Sequence, residues 1–167
     1  MPGVSFEMDF QKYNTLYFFL RDTLSINGTK SLIIEPHHEA IIDVIMSTAA
    51  EGETLEIINI DHHHDLGYFE HERNNPELRG DGNWVSYIMA RGYNVQSYTW
   101  INNKNSRDIN FYPDIKNLNV SSDLGLLTYS SKPFDLVFIC SSWEWVPLKY
   151  VPLFSVFVNE PWRIGLQ

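Results

Sequence analysis

Leu55-Glu56-Ile57-Ile58-Asn59-Ile60 is a short, mostly apolar run rich in β-branched residues, the pattern of a central strand. Two further runs share that character: Leu32-Ile33-Ile34-Glu35, closed by Pro36, and Phe134 to Cys140 (FDLVFIC). The stretches between them differ. His37 to Ala50 (HHEAIIDVIMSTAA) is rich in helix formers and stops before Glu51-Gly52, and Asn83 to Ala90 (NWVSYIMA) reads as a helix stopped by Arg91-Gly92. Asn94 to Trp100 reads as another strand, and Leu153 to Val158 is a further apolar run. Asp61 to Gly82 is polar, holds the densest charge and reads as a long loop, while Ile101 to Ser122, rich in Asn, Ser and Asp, takes no assignment. Strands alternating with helices imply βαβ units and a parallel sheet covered on both faces. The expectation is five or more mostly parallel strands, with the runs beginning at Leu32, Leu55 and Phe134 as neighbouring central strands.

At 167 residues the chain has the length of one ordinary domain, so a single α/β domain over 1–167 is expected. A domain of that size buries roughly 70% of its unfolded surface and needs no staples. Cys140, the sole cysteine, permits no internal disulfide and fits a reducing compartment. The opening MPGVSFEMDF has no basic region leading into an apolar run, and Tyr13 to Leu24 is too short and too polar to span a bilayer. A cytoplasmic protein without membrane partners is expected. The formal charge of −9, with 21 acidic against 12 basic residues and no Lys/Arg cluster, disfavours nucleic acid. A small-molecule substrate is the expected partner, and a homo-oligomer is left open.

In open parallel sheets, sites form in loops at the carboxyl ends of strands. All six histidines fall between positions 37 and 71, and five lie in two groups that each follow a strand: His37-His38, and Asp61-His62-His63-His64-Asp65. In an extended segment alternate side chains share a face, which would turn Asp61, His63 and Asp65 together and His62 and His64 away. Two carboxylates and an imidazole converging on a point are costly to bury unless a cation lies between them. A divalent metal at Asp61, His63 and Asp65 is therefore expected. His37, at the mouth of the neighbouring strand, is a further candidate ligand; alternatively it simply begins a helix, with His38 and Glu39 on a wet surface. The bland alternative is a polar loop of solvated histidines, which bind metal adventitiously.

Asp61-x-His63-x-Asp65 after an apolar strand resembles the D-x-H-x-D motif of the arginase and ureohydrolase superfamily. A closer likeness is to an arginase-related family with E-x-H-x-E-A, D-x-H-x-D-L and N-W-I in that order. Here the segments read Glu35-Pro36-His37-His38-Glu39-Ala40, Asp61-His62-His63-His64-Asp65-Leu66 and Asn83-Trp84-Val85, so the likeness covers positions 32 to 100. It implies a shortened three-layer α/β/α fold of the arginase/deacetylase type, a manganese site, and His37 as a metal ligand. The superfamily completes its site with D-x-D after a later strand. This chain offers Cys140 and Ser142 there, with Glu144 the nearby carboxylate: either a displaced ligand or proton carrier, or a surface residue between two tryptophans. Mn²⁺ suits the carboxylates, and Zn²⁺ would suit a Cys140 thiolate.

Read as an enzyme, the chain would hydrolyse C–N bonds of guanidino or amide type with metal-activated water. Glu144, His62 or His64 would then carry the proton. Two rivals stand. Asp61-His62-His63 also spells the signature of DHH-type phosphoesterases, although nothing before position 61 supplies a convincing set of their further aspartate motifs. A degenerate arginase-like remnant would bind metal or a partner without catalysis, with Trp143, Trp145 and Trp162 as an interaction surface or ordinary packing.

Overall fold

The computed structural model describes residues 11, 13–19, 31–102, 106, 115–129, 134–140, 149 and 152. Its regular elements are β1 (Ser31–Glu35), α1 (Ala40–Thr48), β2 (Thr54–Ile60), α2 (Glu70–Asn74), α3 (Trp84–Ala90), β3 (Asn94–Ile101), β4 (Asn117–Ser121), a 3₁₀ turn at Leu124–Tyr129 and β5 (Leu136–Cys140). Residues 13–19 are also helical. The chain divides into two compact units, Met1–His37 with Leu124–Gln167, and His38–Asp123.

In the first unit β1 and β5 pair in parallel, in register from Ser31 opposite Leu136 to Glu35 opposite Cys140. Tyr13, Tyr17, Phe19, Ile34, Val137 and Ile139 are partly buried in an apolar cluster there. Phe19 meets Phe134 edge-on, ring centres 6.1 Å apart.

The second unit is built on β2, β3 and β4, all parallel. Parallel strands need a crossover between them, and α3 supplies the one from β2 to β3. β3 is the central strand and carries the core, with Val95, Tyr98, Trp100 and Ile101 buried. α1 turns Ile41, Ile42 and Ile45 inward and packs on α3, whose residues Trp84 to Ile88 are all buried. Each such aliphatic side chain contributes roughly 1.5–3 kcal/mol by leaving water. The turn from α1 into β2 passes through Gly52 at φ +82°, a conformation that favours glycine.

The mixed α/β class with parallel strands is as the sequence indicates, and β1 and β5 are neighbours as expected. Among the described residues, however, hydrogen bonding arranges the five strands in two sheets, and the strand beside β2 is β3. α1 begins at Ala40 rather than His37, because residues 36–39 form a bend and turn after Pro36. The expected loop after β2 contains α2, whose all-polar sequence EHERN buries nothing and so has no apolar periodicity to read. β4 supplies part of the stretch left unassigned, and the apolar run from Leu153 lies outside the described residues. Among those residues, no helix is long and apolar enough to cross a membrane.

Candidate metal centre

The end of β2 is fixed by its neighbour. The Asp61 N–H donates to the Ile101 carbonyl at 3.3 Å, and the Trp100 indole N–H donates to the Asp61 carbonyl at 3.0 Å. Beyond that point residues 61–63 bend instead of staying extended, and Asp65 takes φ +53°, the left-handed region that Asp tolerates better than most residues. Gly67 follows at φ +105°. A Cβ there would lie 2.8 Å from Arg73 Cγ and 3.2 Å from its backbone, so the chain passes Arg73 too closely for any side chain.

This reversal buries the Asp65 side chain at 1% exposure. The Trp84 indole N–H donates to its Oδ2 at 2.8 Å, and Asn59 Nδ2 donates to the same oxygen at 3.0 Å. Asn59 also reaches the Tyr98 hydroxyl at 2.9 Å, and that hydroxyl donates to the His64 carbonyl at 2.6 Å. The Asp65 carbonyl in turn accepts the Val85 N–H at 3.1 Å, seating the first turn of α3. Burial, and then the charge of Asp61, push the Asp65 carboxyl well above the usual carboxylate range, while the bonds from Trp84 and Asn59 pull it back. Burial and the Asp65 charge likewise raise the Tyr98 phenol, which stays a neutral donor and acceptor.

His38, Asp61 and Asp65 offer three ligand atoms that all lie within 4.8 Å of one another. His38 Nε2 is 3.5 Å from Asp61 Oδ2. That oxygen is buried and receives no hydrogen bond among the described residues. Asp61 Oδ1 accepts the His62 N–H. A buried carboxylate oxygen without a donor, next to a second buried carboxylate, is a costly arrangement in the absence of a cation. The donors, one imidazole and two carboxylates, suit Mn²⁺ or Zn²⁺.

Asp61 and Asp65, expected as ligands, are thus brought together. The third member of the group is His38, which is not among the expected ligands. His63 lies outside it, its ring packed edge-on against Tyr68 at 4.5 Å and His62 at 4.9 Å. Burial lowers the His63 pKa, opposed by the nearby Asp61 charge, so its ring is neutral near pH 7. Side chains do not alternate here, because the segment bends and Asp65 is left-handed. His37 is exposed and belongs to the first unit. His62 is exposed, with Ser106 Oγ 3.3 Å from its Nδ1. His64 is 1% exposed, its Nδ1 accepts the Leu66 N–H at 3.0 Å, and its ring meets Trp100 edge-on, so it packs as a core histidine. Cys140 is half-buried in the first unit with its Sγ 3.5 Å from the Pro36 carbonyl, and Ser142 and Glu144 lie outside the described residues.

Sequence reading gave no role to Asn59, Trp84 and Tyr98, which support Asp65. A signal existed for Trp84: a buried carboxylate after β2 requires donors, and an indole at the start of the next helix is one. In comparisons with known proteins the chain matches no family model, no curated protein and no solved structure.

Proposed function

We propose that this protein binds one divalent cation through His38, Asp61 and Asp65 and uses it to hydrolyse a small molecule. The observation that carries the reading is the closeness of three ligand atoms, one on a wholly buried carboxylate and another beside a buried oxygen that lacks a donor. A bound cation supplies Lewis acidity, which acidifies water and offsets negative charge developing on a substrate. The chain's own groups do the rest. Trp84 and Asn59 orient Asp65 by occupying its Oδ2. His63, neutral near pH 7 and close enough to Asp61 to feel its charge, is the candidate proton acceptor, and the exposed His62 ring at the rim passes the proton to solvent. The resemblance of Asp61-x-His63-x-Asp65 to the arginase motif is the reason to favour C–N bonds of guanidino or amide type.

Elemental analysis and Mn²⁺ or Zn²⁺ titration of the full chain test the reading. Asp61→Ala should remove most of the bound metal and His62→Ala little of it; equal losses would mean a disordered histidine tract. Metal bound by the wild type without turnover of any guanidino or amide substrate would leave a binding-only relative.

A further inference from the structure

His38 sits on a turn between β1 and α1 and not on a regular element, so its ring is only as well placed as that turn. Both backbone polar groups of the next residue, Glu39, are held by one distant segment. Asp81 Oδ1 accepts the Glu39 N–H at 3.0 Å, and Arg79 Nη2 lies 3.4 Å from the Glu39 carbonyl it donates to. The same guanidinium forks onto Asp43 in the first turn of α1, with Nη1 2.7 Å from Oδ1 and Nη2 bonded to Oδ2.

The other end of that segment grips the aspartate loop. The Gly82 carbonyl accepts the N–H groups of Gly67 and Tyr68 at 3.0 and 3.2 Å, and the Val85 N–H reaches the Asp65 carbonyl. A Cβ on Gly82 would lie 2.8 Å from both Glu72 carboxylate oxygens, so the Glu72 side chain packs directly against this backbone. Residues 79–82 therefore touch the His38 turn on one side and the Asp65 loop on the other.

We propose that Arg79 and Asp81 are positioning residues that hold His38 at the cation site; this rests on the metal reading above. Groups that orient a ligand matter to affinity out of proportion to their worth in the fold. Arg79, Asp81, Glu39 and Asp43 are all exposed, and exposed pairs add little to stability. A merely structural pair would thus move the melting temperature and the metal affinity alike, by little.

The test is calorimetric titration of the full chain with Mn²⁺ and with Zn²⁺. Asp81→Ala and Arg79→Ala should each weaken binding roughly 10- to 100-fold, while the metal-free melting temperature moves by no more than about 3 °C. Asp81→Asn keeps an acceptor oxygen without the charge and should restore most of the affinity. Arg79→Lys keeps the charge without the fork and should remain weak. Wild-type affinity in Asp81→Ala would overturn the proposal. So would an Asp81→Asn as weak as Asp81→Ala, since the carboxylate would then act by its charge alone. A wild-type chain that takes up neither ion refutes the metal reading itself, a result visible before any variant is made.

Discussion

Asp65 lies at 1% exposure with an indole and an amide donating to one of its oxygens, whereas Asp43 grasps Arg79 with 65% of its side chain exposed. The first carboxyl is pushed up by burial and by a neighbouring carboxylate; the second is held down by the Arg79 hydrogen bond. Both networks tie together segments far apart in sequence. The exposed one exchanges water for protein partners at almost no net cost, whereas burial makes a charge in the other costly, which the raised Asp65 pKa reflects. The proposed metal site draws on the buried arrangement, where burial and a neighbouring carboxylate disfavour the charged form.

The largest effect should come from removing the support of the buried carboxylate. Trp84→Ala takes out a buried aromatic and a donor and should cost about 3–5 kcal/mol in denaturant unfolding. Trp84→Phe retains most of the ring and should cost about 1–3 kcal/mol, chiefly through the lost hydrogen bond to Asp65. Equal costs for the two would mean that the indole N–H contributes nothing.

Next in size is the gain from metal. At a free ion concentration of 100 times Kd the chain should gain about 2.7 kcal/mol, read as a rise in melting temperature that Asp65→Asn abolishes. Without metal the same variant should be the more stable protein near neutral pH, because burial disfavours the charged carboxylate and leaves an amide unaffected. The sign follows from linkage. A carboxyl with a raised folded pKa gives its full stability below its unfolded value of 3.8, and that stability is lost as pH rises through the folded pKa. Wild type should therefore fall behind Asp65→Asn on going from acid to neutral pH; parallel curves would remove Asp65 as the strained group. The smallest effect belongs to the exposed network, where Asp43→Ala should shift the melting temperature by no more than about 3 °C, and less in high salt.

Much of this was legible in the residues. The β-branched run at Leu55 marks β2, and the polar cluster after it contains Asp61 and Asp65, two of the three residues whose ligand atoms the structure brings together. His38 was not legible. Which of His37 and His38 comes close to Asp61 depends on how the turn after Pro36 is held, and the hydrogen-bond partners of Glu39 at Arg79 and Asp81 are some forty positions away. Nor could alternation foresee the left-handed Asp65, whose conformation follows from the tight passage at Gly67 and from the donors waiting at Asn59 and Trp84. Nearest-neighbour patterns identify which side chains have the chemistry; the closing of loops decides which of them meet.

Gly67 bears on how genetic data for this protein would read. Every other amino acid at that position meets both a disfavoured φ and the backbone of Arg73, so a saturation scan should find it nearly intolerant of change. On a map of mutational tolerance it would stand level with Asp61 and Asp65, although it has no side chain with which to hold or convert anything. Intolerance at 67 would reflect a shape, and at 61 and 65, on the proposed metal reading, a charge. A scan repeated with and without added metal would separate the two, since only the charge positions should change rank with the ion supply.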